Sequence, residues 1–216
     1  MEKILKRPGD ANVFSVPYFK TTKSIPMEKW TAQNIYSKLI KLKTQPPTSF
    51  SKWPMDDIVL YDLISQNYEI TNHTKILDTQ YRITNRYYHT EYQLFTWKIK
   101  ESPACVTCGW ERDTIEHHFV QCPQKIEFWR KIDLWKQNVI DIDINESVYD
   151  KLLGIHNPNN IVEIDFINFI NLCCKVYFRE SEEADIFLSV FLQRMKYWAR
   201  SIRNPRLKEF YEDLFD

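Results

Sequence analysis

Glycine is scarce in this sequence, with three residues among 216. Glycine is the residue that most readily adopts the left-handed conformations of tight turns and phosphate-cradling loops, so few such features are expected. Aromatic residues, by contrast, make up 15% of the chain. Together these contents disfavour a many-stranded β-sandwich and predict an all-α fold, in which helices pack through bulky aromatic side chains.

Long apolar runs are absent as well. No stretch of about 18 apolar residues is present to span a membrane. The charged segment 1–10 lacks the apolar centre of a secretion signal. We therefore expect an intracellular protein, in the nucleus and/or the cytoplasm, that has no membrane partner.

Net charge is absent too, because 29 basic residues balance 29 acidic ones. Strong nucleic-acid binders usually carry a basic excess, so this balance argues mildly against tight binding by the chain alone. The charge is unevenly spread, however: the formal net charge is +5 over 1–110, −7 over 111–190 and +2 over 191–216. This segregation leaves room for a local basic face.

Apolar residues recur with a helical period along most of the chain, and proline and glycine mark the ends of the periodic segments. We divide the chain into an irregular N-terminal segment 1–26, an N-terminal helical region 27–102, a zinc knuckle with its following helix 103–139, and a C-terminal helical region 140–216. Helices are predicted at about 26–43, from 56, and at about 72–88, 123–138, 146–153, 161–179 and 183–203.

The cysteines indicate a metal site rather than a disulfide framework. Their number, five, is odd, and three of them share one short segment with a histidine, in the pattern C-x2-C-x8-H-x4-C. Three thiolates and one imidazole meet the tetrahedral preference of zinc and leave no open position for water, so we predict one structural Zn2+ ion. The predicted ligands are Cys105, Cys108, His117 and Cys122.

Other interpretations of this segment stay open. His118 could replace His117 in a C-x2-C-x9-H-x3-C pattern, although we favour His117. The cluster could also be a chance grouping of buried thiols and exposed histidines. A redox-active CxxC pair is a further alternative, but no βαβ pattern surrounds it.

Four pieces of the sequence resemble a known arrangement, the zinc-binding region downstream of the polymerase in non-LTR (LINE-type) retrotransposon reverse transcriptases. That family shows a basic helix with Arg and Thr-Asn, then C-x2-C, then Thr-(apolar)-Glu-His-(apolar)-Phe before Cys-Pro, and finally a Phe-Trp pair. The matching runs are Lys75–Arg86, Cys105–Gly109, Thr114–Pro123 and Phe128–Trp129. The likeness is specific over about 75–130, is loose over 30–216, and supports the same four metal ligands.

The resemblance implies a helical segment that helps to hold RNA and DNA near a polymerase. Arg82 and Arg86 match the basic helix, while tyrosines between the cations suit stacking against bases. The predicted nucleic-acid contacts are Lys75, Arg82, Arg86, Tyr87, Lys98 and Lys100. A second basic stripe, from Arg194 to Lys208, is interpreted as a solvated helix face.

The polymerase of that family has no counterpart in this sequence. Asp56 and Asp57 superficially resemble its paired aspartates, but the preceding aromatic is missing and too little chain comes before them. We interpret both as acids at a helix N-terminus. The chain is therefore expected not to be an enzyme, and a metal-dependent hydrolase is disfavoured because the site is closed.

Two functions compete on these observations. The first is a non-catalytic nucleic-acid-binding module, with RNA and/or DNA as partners. The alternative is a protein-interaction module, a domesticated retroelement segment that docks a reverse transcriptase or another protein subunit in a larger complex. Net neutrality favours the alternative, whereas the basic helix and the resemblance favour the first.

Overall fold

The computed structural model describes residues 49–140, 145–181 and 187–215, all of which belong to one compact unit, 47–216. The described residues are mainly helical, which confirms the all-α prediction, and their β interactions are limited to one antiparallel bridge between Thr71 and Ile202. Short turns of 3-10 helix at Phe50–Lys52 and of π-helix at His117–Gln121 accompany eight α-helices in these ranges. In chain order these are α1 Asp57–Ile70, α2 Thr74–Thr84, α3 Glu91–Thr96, α4 Pro123–Val139, α5 Val148–Leu153, α6 Val162–Glu180, α7 Leu188–Ala199 and α8 Pro205–Phe215.

Helix α6 is the centre of the core. Every side chain from Asp165 to Phe178 is buried, so the helix has no solvated face along that stretch. A helix surrounded in this way needs neighbours on all sides, and α1, α2, α5, α7 and α8 all pack against it. Two of its polar side chains bond to α5 and to the loop that follows it: Lys175 Nζ donates to Leu152 O at 2.7 Å, and Asn168 Nδ2 donates to Ile155 O at 2.9 Å.

Local sequence signals set most helix ends where they were predicted. The Asp56 carboxylate caps α1 by accepting from Ile58 N at 2.7 Å. Pro123 occupies the first turn of α4, where its missing N–H costs nothing. Gly154 ends α5 with φ +104°, a conformation that other residues rarely adopt.

Four helices differ from the sequence-based prediction. Helix α3 was not predicted, and α7 ends at Ala199 rather than at about 203. Helix α2 is shorter than the predicted 72–88, because the chain leaves it at Asn85 and Arg86 adopts a positive φ of 55°. Helix α8 was missed, since Asn204-Pro205 was interpreted only as a helix end. Here Asn204 Oδ1 instead accepts from Arg206 N at 3.1 Å, so the same pair begins a new helix.

Some expectations concern other parts of the chain. The irregular segment 1–26 and the helix at 26–43 fall outside the described residues, and the four-part division of the chain stays a prediction. None of the helices described is long and apolar enough to cross a membrane.

Candidate metal centre

Four side chains converge at one end of α4. The ligand atoms of Cys105, Cys108, His117 and Cys122 all lie within 4.8 Å of one another. The Cys108 Sγ and His117 Nε2 atoms are 3.3 Å apart. Around a tetrahedral zinc ion, ligand atoms of these kinds are about 3.5–3.8 Å apart, given Zn–S of about 2.3 Å and Zn–N of about 2.0 Å. The cluster therefore fits one structural zinc ion.

A tight turn presents the first two ligands. Gly109 N donates to Cys105 O at 2.8 Å, and Cys105 N donates to Trp110 O at 2.9 Å, so the chain folds back on itself after Cys108. Gly109 has φ +73°, and a Cβ there would meet no atom within 4 Å. The glycine is needed for its backbone conformation rather than for space.

A π-helical turn presents the other two ligands. In an α-helix, residues five apart point about 140° away from each other, which would separate His117 from Cys122. Here Cys122 N donates to His117 O at 2.9 Å, the five-residue bond of a π turn. This bond brings both side chains to the same side. The sequence analysis recognised the spacing of His117 and Cys122, but it did not predict the π turn that brings their side chains together.

His118 has a different partner. Its Nδ1 lies 3.1 Å from Asp113 Oδ2, and the same carboxylate oxygen accepts from Glu91 N at 3.1 Å. The structure therefore groups His117, not His118, with the three thiols. His118 and Asp113 instead join the segment 105–122, the metal knuckle, to the start of α3.

Burial shifts the pKa of three of the ligands. It raises the pKa of the Cys105 thiol and raises the pKa of Cys122 to about 12, so both are neutral in the metal-free chain at neutral pH. Burial lowers the pKa of His117 more than the nearby Asp113 raises it, which favours the neutral imidazole that metals bind. Zinc binds thiolates, so it must displace the thiol protons, and its affinity must fall as the pH falls.

The knuckle is anchored to the helical core by aromatic residues. Trp129 Nε1, on α4, donates to Phe119 O at 2.8 Å, and Tyr88 packs edge-on against Phe119 with ring centroids 4.7 Å apart. Phe119 and Trp129 are both buried. The metal site is thus held against the core and does not form a separate lobe.

Most of the predicted nucleic-acid contacts are engaged within the chain. Lys75 pairs with Glu180 at 2.8 Å, Arg82 with Asp78 at 3.0 Å, and Lys100 with Glu91 at 2.8 Å. Lys98, which has φ +60°, and Tyr87 are exposed. The six residues do not form one cluster: Lys75 lies at the start of α2, whereas Tyr87, Lys98 and Lys100 flank α3.

Arg86 is part of a clasp between the N-terminal part of the unit and the metal knuckle. Its guanidinium lies 3.8 Å from the centroid of the Trp53 ring, and its Nη2 donates to Glu116 Oε1 at 2.7 Å. Trp53 Nε1 in turn donates to Thr84 O at 2.8 Å. Because Glu116 directly precedes His117, this clasp supports the metal turn. Sequence reasoning missed Trp53 and Glu116, and no local pattern marks them.

Comparison with known proteins agrees with this geometry. Residues 61–129 match the model of a family described as zinc-binding in reverse transcriptase. No curated protein and no solved structure gave a significant match. The matched range contains all four converging ligands and α2, α3 and the clasp residue Arg86. Residues 61–129 are therefore similar to the zinc-binding region of reverse transcriptases.

Proposed function

We propose that the chain is a non-catalytic nucleic-acid-binding module that serves as an accessory part of a reverse transcriptase. The family match supports the link to reverse transcriptases, and it detects the zinc-binding region without a polymerase domain. The observation that carries the binding role is a set of exposed aromatic rings in the metal knuckle and in the two segments that contact it. We call Tyr87, Trp97 and Trp110 the aromatic rim; their exposed fractions are 57%, 45% and 63%.

The metal knuckle holds the rim in place. Trp110 directly follows the turn at Gly109, and its ring is parallel to that of His117, with centroids 6.1 Å apart. The segment that carries Trp97 is tied to the knuckle through Glu91 and Asp113. Rigid, exposed rings provide stacking platforms for unpaired bases, which every base can use because every base has a π-face.

Cations accompany these rings. Lys98 adjoins Trp97 and is exposed, and Lys100 makes an ion pair with Glu91 in which the lysine side chain is 47% exposed. The Glu91 side chain is only 16% exposed and keeps its pair with Lys100, so a phosphate group would contact the exposed side of the lysine ammonium group. Both lysines therefore offer positive charge to a nucleic-acid backbone.

A protein-interaction role is the second candidate, and one observation favours it. Exposed aliphatic side chains also lie in the knuckle and just before it in the sequence: Val106 is 68% exposed and Ile99 is 67% exposed. Aliphatic groups gain little from bases but much from burial against a protein partner. Under this alternative the partner is a reverse transcriptase or another subunit of its complex.

The decisive experiment is a titration of labelled single-stranded RNA and DNA with the zinc-loaded full chain, followed by fluorescence anisotropy at several salt concentrations. We expect binding that weakens as salt rises, because phosphate contacts release counterions. The Trp97→Ala, Lys98→Gln double variant should weaken binding about tenfold, while the matched pair Tyr68→Ala, Lys131→Gln, exposed on α1 and α4, should not. Absence of binding at low salt would reject this function in favour of the protein-interaction role.

A further inference from the structure

A cleft of about 390 Å³ lies between the start of α2, the end of α6 and α7, and none of the metal ligands lines it. His73 and Lys75 line it from α2, Glu180 from α6, and Arg194 and Tyr197 from α7. None of these residues belongs to the metal cluster or to the aromatic rim.

The cleft carries an excess of positive charge among the described residues. Lys75 Nζ lies 2.8 Å from one oxygen of Glu180, and Arg194 Nη1 lies 3.5 Å from the other, so two cations share one carboxylate. The lysine and arginine side chains are 66% and 40% exposed. Arg200 does not line the cleft, but it adds a third cation beside it, 6.0 Å from the centre of the Tyr197 ring. One glutamate cannot neutralise these cations, so the cleft should attract anions.

An exposed aromatic ring lies among these cations. Tyr197 is 61% exposed, and His73 meets it edge-on with ring centroids 6.2 Å apart. Burial and the charge of Lys75 lower the pKa of His73, so its ring is neutral at neutral pH and available for stacking or hydrogen bonding. Arg194 and Tyr197 are three residues apart on α7, so they share one side of the helix, and Arg200 directly follows its end at Ala199.

Backbone contacts fix the two walls of the cleft relative to each other. Asn72 N donates to Ser201 O at 3.1 Å, and Arg203 N donates to Ile70 O at 2.9 Å. These bonds join the α1–α2 connection to the end of α7. The cleft is therefore formed before any ligand arrives, which reduces the entropy that binding must overcome.

We infer that this cleft binds a single-stranded nucleic acid, with one base stacked on Tyr197 and the flanking phosphates on Lys75, Arg194 and Arg200. A stacking ring between cations is the arrangement that single-strand binders use. The inference rests on the proposed function and adds to it a second contact site, distinct from the aromatic rim. Duplexes fit it poorly, because their bases are already stacked.

The stacking part is tested on Tyr197. With zinc-loaded full chain and short labelled single-stranded RNA and DNA, Tyr197→Ala should weaken binding about five-fold to a hundred-fold. Tyr197→Phe should retain it, because the ring remains. The matched control is Tyr68→Ala, which removes an exposed tyrosine from α1. If Tyr197→Ala binds as tightly as the control, or if duplex competes as well as single strand, the inference is overturned.

The charge part has a control within the same chain. On α4, Arg130 and Lys131 share Glu127 much as Lys75 and Arg194 share Glu180. The Lys75→Gln, Arg194→Gln variant should weaken binding and reduce the slope of log affinity against log salt by about 1.4. Glu180→Gln should tighten binding by freeing both cations. The corresponding changes at Arg130, Lys131 and Glu127 should do neither; equal effects at both places would overturn the inference.

Failure of this inference and failure of the proposed function are distinguishable. If the wild-type chain binds and only the rim variants weaken it, the cleft is wrong and the proposed function stands. If the zinc-loaded wild-type chain binds no oligonucleotide at low salt, both are rejected. Tyr197 and Lys75 are exposed, and Arg194 is half-buried with its guanidinium over the Tyr177 ring, so an unchanged circular dichroism melt is required of each variant.

Discussion

The metal knuckle and the α6 core are stabilised in different ways. In the knuckle, between Cys105 and Cys122, four ligand atoms meet within 4.8 Å, while Val106 and Trp110 remain exposed. Around α6, every side chain from Asp165 to Phe178 is buried against five neighbouring helices. The first part of the knuckle has few buried apolar groups, whereas Phe119 in its second part is buried against the core, so we expect the order of the first part to depend on the ion.

Because of this difference, one region provides the stability of the fold and the other can keep aromatic side chains exposed. A core held by burial is stable over its whole length, and losing one side chain weakens all of it. A loop held by one ion is ordered only while the ion is bound, but it can display exposed aromatic rings that a burial-driven segment would have to cover. The aromatic rim can therefore stay exposed, because the metal ion rather than burial of these rings holds the knuckle in place.

Removal of the metal should give the largest effect and should be confined to the knuckle. Cys108→Ser removes one ligand, so we expect loss of the zinc ion and loss of hydrogen-exchange protection over 105–122, while α6 stays protected. Structural zinc contributes about 10–16 kcal/mol in small zinc-finger peptides. Zinc content by mass spectrometry and exchange rates check this. Cys173→Ala, in the buried part of α6, is the control and should retain zinc. One zinc per chain in Cys108→Ser would contradict the ligand assignment.

A substitution in the α6 core should lower the stability of the fold and leave the zinc ion bound. Phe169 is fully buried on α6 and lies beside Tyr211 of α8. Phe169→Ala should lower the free energy of unfolding by about 3–5 kcal/mol through lost burial and a cavity. Urea denaturation measures this change, and the zinc content should remain at one ion per chain. Loss of zinc together with a small loss of stability would show that the two regions are not separable.

The smallest effects distinguish two arginines that the sequence pattern places on the same predicted basic helix. Arg86 joins Trp53 to Glu116, and its removal should leave a half-buried carboxylate without its partner, at about 1–3 kcal/mol. Arg82 makes an exposed ion pair with Asp78, so Arg82→Ala should cost about 0.3–0.5 kcal/mol. Urea denaturation of the two single variants makes the comparison. Equal costs would show that the clasp does not support the knuckle.

The clasp also affects how nucleic-acid binding should be tested. The double variant Arg82→Ala, Arg86→Ala removes a structural contact together with a surface charge, so weaker binding by it would not identify a phosphate contact. Glu116→Gln provides the missing control, because it breaks the clasp and leaves both arginines in place. Binding that falls equally in both variants would be an effect on folding.

Helix ends and metal ligands were predictable because their signals are local. The spacing of Cys105, Cys108, His117 and Cys122 follows from the geometry of one ion, and Pro123 and Gly154 act on their own backbone. The helix at Pro205–Phe215 was missed because Asn204-Pro205 ends one helix and also begins the next. Asn204-Pro205 was correctly interpreted as the end of the preceding helix, but its role in starting the following helix was not recognised.

By itself, the sequence determined the all-α class, the four zinc ligands and most helix boundaries, since these depend on residues close together along the chain. Only the tertiary structure decided that Arg86 is enclosed by Trp53 and Glu116, that Lys175 is buried against Leu152, and that His73 and Tyr197 line one cleft. Those contacts join residues far apart in sequence. They depend on how helices pack against one another, which no local period records.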